Sequence, residues 1–84
     1  MSKLETFKKK LLYRSNYRGT KEMDLLLSNF VKRYIDEFND EQLKDLDKFL
    51  DFEDNIIFNY YHYGQVENNI EKNKISKIFR KYTI

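Results

Sequence analysis

Apolar residues recur at three- and four-residue steps along most of the chain, the spacing of one helix face rather than of a strand. The clearest run is Met23, Leu26, Leu27, Phe30, Tyr34, Ile35 and Phe38, which predicts a helix from Thr20 to Glu37 or Phe38 with one broad apolar face. Ahead of it, Leu4, Phe7 and Leu11 predict a first helix from Lys3 to Arg14, packed inward, with Lys8, Lys9 and Lys10 mostly on its solvated side. Asn39 and Gln42 have the spacing of a capping box, so a third helix is expected to start there. It should turn Leu43, Leu46, Phe49 and Leu50 inward and leave Asp40, Glu41, Asp45 and Asp47 in water. Ile56, Ile57, Phe58, Tyr60 and Tyr61 predict a fourth helix over Asn55 to His62, apolar on nearly every side and stopped by Gly64. A fifth is expected from Asn68 to Tyr82, with Ile75, Ile78, Phe79 and Tyr82 on one face. The expected fold is all-α, a small five-helix bundle in a single domain.

Composition narrows the class. At 84 residues the chain supports one modest core and has no room for a nucleotide-binding unit beside a catalytic domain. It has no Cys, which removes disulfides and thiolate metal sites and fits a reducing compartment. The apolar runs are too short for a membrane span, and the N-terminus has no signal-peptide apolar region. A soluble, cytosol-like protein without membrane insertion is expected, and a monomer. The acidic residues lack the spacing of a calcium loop, so no metal site is expected either.

The net charge of +2 conceals an uneven distribution. Residues 1–22 carry seven cations against two acids, residues 23–67 four against eleven, and residues 68–84 five against one, giving +5, −7 and +4. A nucleic-acid footprint needs a continuous basic surface, and the acidic middle interrupts it. Binding nucleic acid through Lys8 to Lys10 and the C-terminal lysines is therefore the alternative reading, not the first. The pattern suits steering toward a partner with complementary patches.

The candidate working surface is Arg18-Gly19-Thr20-Lys21-Glu22, at the joint between the first two helices. With Gly19 as N-cap, Glu22 falls at the third helical position, near the positive end of the helix dipole. On spacing alone, Glu22 caps its own helix and Arg18 is a solvated charge. Ser15 and Asn16 favour ending the first helix, and Tyr17 is either a core plug or an interface anchor. His62, the single histidine, is read as an end-of-helix residue; a small enzyme using Glu22 and His62 ranks third among the functions.

The run from Leu11 to Leu27, LLYRSNYRGTKEMDLLL, resembles the signature segment of the succinate dehydrogenase assembly factor family. The family's Arg-Gly-x-x-Glu motif maps onto Arg18, Gly19 and Glu22, with an accompanying acid at Asp24. A second block, Asp54 to Tyr61, is similar to a later family segment in which an acidic residue leads into an aliphatic and aromatic helix, with Tyr60 or Tyr61 where many members carry Trp. The similarity spans roughly residues 8–62. It implies an accessory factor that binds the flavoprotein subunit of succinate dehydrogenase, and promotes covalent attachment of that subunit's FAD to its own histidine. The FAD belongs to the partner, with no cofactor and no catalytic residue on this chain. The partner-binding residues so implied, with their neighbours, are Arg18, Gly19, Glu22, Asp24, Arg14, Tyr13, Tyr17, Tyr60 and Tyr61. The expected compartment is a bacterial cytoplasm, or the mitochondrial matrix for a processed eukaryotic chain.

Overall fold

Side-chain caps start four of the five α-helices, because polar residues stand where the first amides would otherwise lack acceptors. The structure, a computed structural model, describes residues 2–83. Ser2 caps α1 (Lys3–Arg14), Thr20 caps α2 (Lys21–Tyr34), Asn39 caps α3 (Asp40–Phe49) and Asn73 caps α5 (Lys74–Lys81). Asn39 and Gln42 form the predicted reciprocal box, with both bonds at 2.9 Å. The exception is α4 (Asp54–Tyr63), whose N-cap Glu53 makes no side-chain bond. The all-α, five-helix expectation holds.

The helices bury their apolar stripes against one another around Phe30, Phe49 and Phe79, all fully buried. The Phe79 ring lies 5.0 Å from Phe30 and 5.2 Å from Phe49, which ties α5 to α2 and α3. Leu11, Met23, Leu27, Leu43, Leu46, Ile57 and Ile75 fill the space around them. α5 packs mainly on α3 and also on α4, and α1 lies across α2 and α3.

α4 is one residue longer at each end than the expected Asn55 to His62, and other boundaries differ more. Thr20, not Gly19, is the N-cap of α2: its hydroxyl accepts from the Met23 amide at 3.2 Å, which leaves Glu22 at the second helical position. α2 ends at Tyr34 rather than Glu37 or Phe38, yet Phe38 donates to the Tyr34 carbonyl in the following turn and stays buried. The last predicted helix is broken. Asn68 and Asn69 take left-handed dihedrals, a 3₁₀ turn covers Ile70–Lys72, and only then does Asn73 start α5. In α1 the stripe is also incomplete, since Leu11 is buried and Phe7 half-buried but Leu4 is 44 % exposed.

Gly64 ends α4 in the left-handed region at φ 68°, as its position after the apolar run predicts. A Cβ there would also stand 2.5 Å from the Arg80 guanidinium. Gly64→Ala is therefore expected to cost about 1–2 kcal/mol, the penalty of a left-handed L-residue, read as a lower thermal midpoint. An unchanged midpoint would show that this helix end relaxes freely.

Candidate functional site

The bend between α1 and α2 is fastened from inside. The Arg18 side chain, 13 % exposed, donates from Nε to Asp54 Oδ1 at 2.7 Å and from its terminal nitrogens to the carbonyls of Leu50 at 3.1 Å, Phe52 at 3.0 Å and Arg14 at 3.4 Å. The other Asp54 oxygen accepts from the Gly19 amide at 2.5 Å. One carboxylate at the start of α4 thus grips both the side chain of Arg18 and the backbone after it. A Cβ on Gly19 would lie 3.0 Å from Asp54 Oδ2, so glycine is used here for close approach. Gly19 is not among the residues with positive φ. Asp24 completes the bend by accepting from the Arg18 amide.

This geometry corrects the sequence expectation for several residues. Arg18 is not a cation held out toward a partner, because its planar fork of donors is spent on Asp54 and three carbonyls of the same chain. Asp24 serves the bend as well. Arg14 is bound to the Asp47 and Asp51 carboxylates and to the Asp47 carbonyl, fastening the end of α1 to the end of α3. Asp47, expected in water, is partly covered for the same reason. Tyr60 is 6 % exposed and belongs to the core. Tyr61 is half-covered, donating its hydroxyl to the Tyr82 carbonyl at 2.5 Å. Loss of hydration, and then nearby Tyr82, push that hydroxyl's pKa up, so it remains a protonated donor through neutral and mildly alkaline pH.

What the clamp presents to solvent is Glu22. Its side chain is 61 % exposed and stands between two mainly apolar grooves, with Gly19, Met23 and Phe58 in the walls of one and Leu25, Leu26 and Tyr61 in the walls of the other. Across the second groove, His62 Nε2 lies 3.3 Å from Glu22 Oε1. His62 also packs on Phe58, with centroids 4.3 Å apart, and Phe58 meets the exposed Tyr63 at 6.3 Å. A carboxylate bordered by Leu25, Phe58 and His62, with Tyr63 exposed beyond Phe58, has the mixture of apolar area and one placed charge found at the centre of protein interfaces.

Tyr13 and Tyr17 form a second exposed aromatic feature. They are 69 % and 80 % exposed, with rings 5.6 Å apart. Tyr17 is no core plug. It also adopts φ 58°, a left-handed conformation that costs a non-glycine residue about 1–2 kcal/mol. Such strain persists only where the surroundings enforce it, here between the end of α1 and the Arg18 clamp.

Asp54, Phe58, Leu25 and His62 were not among the predicted site residues. Asp54 had a signal, an acid leading into the fourth apolar run in a chain whose bend carries an arginine. His62 is paired with Glu22 only in the third-ranked enzymatic reading, and no periodicity places the two at 3.3 Å, since they are 40 positions apart and meet only in the folded chain.

Comparison with known proteins places this chain in a family. The family model described as "flavinator of succinate dehydrogenase" matches residues 9–83, extending past the motif-bearing residues 8–62 through the C-terminal helix. The succinate dehydrogenase assembly factor 2 of Aspergillus flavus, a mitochondrial protein by name, is 47 % identical over 51 residues, 61 % of this chain and 18 % of that protein. The protein of the same name from Meyerozyma guilliermondii is 49 % identical over 47 residues, 56 % of this chain and 35 % of its own length. Assembly factor 2-B of Drosophila willistoni is 51 % identical over 47 residues, covering 56 % and 30 % respectively. The matched segment thus spans about a third or less of these relatives. No solved structure matches this chain. Among the described residues no helix is long and apolar enough to cross a membrane. With nearly all of the chain matched, and with the clamp built from its Arg-Gly pair, this protein belongs to the flavinator of succinate dehydrogenase family.

Proposed function

We propose that this protein binds the flavoprotein subunit of succinate dehydrogenase and promotes covalent attachment of FAD to it, in the compartment where that subunit matures, for which the relatives' names favour the mitochondrion. The observation that carries the reading is the presentation of Glu22. In a chain of this family, an exposed carboxylate is fixed on a clamped bend between two apolar grooves. Arg18, Gly19, Asp24 and Asp54 hold the bend, and Glu22 with Leu25, Phe58 and Tyr63 meets the partner. Tyr13 and Tyr17 extend the contact.

FAD is read as the partner's cofactor. The groove beside the bend is a poor fit for a dinucleotide, because its lining has no cation for a diphosphate and sets the Glu22 carboxylate against it. The bond to FAD then forms within the flavoprotein, and this chain contributes by holding the flavoprotein with its reacting groups aligned. Alignment alone can lower a barrier by several kcal/mol, up to about 7–11 in favourable cases. No residue here need give or take a proton. The Glu22–His62 pair invites an enzymatic reading, yet the hydroxyl nearest in sequence, on Thr20, is occupied in capping α2.

An interface of ordinary size takes about 800 Å² from each partner, against a total accessible surface of 5610 Å² here. The motif alone is too small, so the grooves flanking Glu22 belong to the contact. Glu22→Ala is expected to fold like the parent, to bind the unmodified flavoprotein subunit about thirtyfold more weakly, as loss of an interface hot spot does, and to yield less in-gel flavin fluorescence. Parental binding and flavinylation by this variant would overturn the proposal.

A further inference from the structure

The groove lined by Leu25, Leu26 and His62 does not end at α4. Tyr61 forms its far wall and also the near wall of a second cleft, completed by Tyr60 and by Lys77, Arg80 and Lys81 of α5. These three cations lie on consecutive turns of one short helix, and none is ion-paired among the described residues. Four cations elsewhere are ion-paired, Lys8 with Asp36, Arg14 with Asp47 and Asp51, Arg18 with Asp54 and Arg33 with Glu37, and none of these acids reaches the cleft. Arg80 is also held in place. Its guanidinium lies over the Tyr60 ring, 5.8 Å from the centroid, in the space left by the missing side chain of Gly64. The residues from 68 onward carry +4, the reverse of the acidic stretch before them.

We infer that the α4–α5 cleft is a second docking patch for the same flavoprotein, and that it receives an acidic segment of that protein lying next to the surface that meets Glu22. The inference rests on the function proposed above. Two observations select the occupant. The cleft shares Tyr61 with the groove beside Glu22, so a partner seated on one reaches the other without leaving the surface. Its charge is opposite to that of Glu22, so the two patches together require a basic group and an acidic group at a fixed separation across α4, which sets orientation as well as attraction.

Lys77 and Lys81 are exposed and make no ion pair, so a Lys77→Glu/Lys81→Glu protein is expected to keep the parental circular dichroism and to melt only slightly lower, the cost of carboxylates near the C-terminus of α5. Its association with the unmodified flavoprotein subunit should slow about tenfold at low salt, the difference shrinking at high salt while dissociation changes little, as for charges at an interface rim. Lys77→Gln/Lys81→Gln should fall between it and the parent. Association at the parental rate in both variants would overturn the inference. So would loss of binding to free FAD, to a short DNA duplex or to phosphatidylserine vesicles with flavoprotein association unchanged, since the cleft would then serve another anion. Glu22→Ala measured alongside separates the two readings. If it weakens binding and the lysine variants do not, the function stands and this patch falls; if the parent protein does not bind the flavoprotein, both fall.

Discussion

Arg18→Ala is expected to destabilise the protein by about 3 kcal/mol, the lower end for breaking a buried ion pair, which at about 4–8 °C per kcal/mol lowers the melting temperature by some 12–24 °C. The variant would strip a donor from the Asp54 carboxylate and from the carbonyls of Leu50 and Phe52 at one corner. Arg18→Lys should recover only part of the loss, because an ammonium cannot reach acceptors spread around a planar guanidinium. Asp54→Ala should cost a comparable amount, and the double variant little more than either, a coupling approaching about 3 kcal/mol, the upper end for residues in one network. Urea melts of the four proteins measure this directly. If Arg18→Ala melts like the parent and loses only flavoprotein binding, the arginine is a partner contact after all.

The second large effect is expected at Phe79. Its ring is fully buried and meets Phe30, Phe49 and Tyr61, so one side chain joins α5 to α2, α3 and α4. Phe79→Ala should cost about 3–5 kcal/mol, the range for emptying a core phenylalanine site. α5 has eight residues, too few to hold as an isolated helix, so its order depends on this packing. Hydrogen exchange should therefore show α5 amides losing protection before those of α2. A loss near 1 kcal/mol, with α5 still protected, would mean that Ile75 and Tyr82 hold the helix without it.

Much of the fold was legible because local chemistry agreed with the packing. The Asn39–Gln42 box, the apolar stripe of α2 and the Gly64 stop each set one boundary by short-range physics. The break before α5 was missed because lysines and isoleucines continue a helix-like rhythm through it. The decisive residue is Asn73, whose side chain accepts from the Ile75 amide and donates to the Asp45 carbonyl on α3. In the site, Gly19 and Glu22 could be singled out from the sequence, but the division of labour within the motif could not. Arg18 and Asp54 are 36 positions apart, and a surface arginine and an internal tie look alike until the chain is folded. Tyr60 and Tyr61 likewise read as twins, although one faces the core and the other walls two grooves.

The missing cap of α4 carries a mechanical consequence. Asp54, which might have satisfied the amides of its own helix, reaches instead to the Arg18–Gly19 bend, so the opening of α4 and the entry to α2 are restrained by one carboxylate. Neither can swing without dragging the other. The backbone beneath Glu22 therefore has little freedom left to surrender on docking, and a visiting surface meets a stiff anvil whose entropic toll was settled during folding.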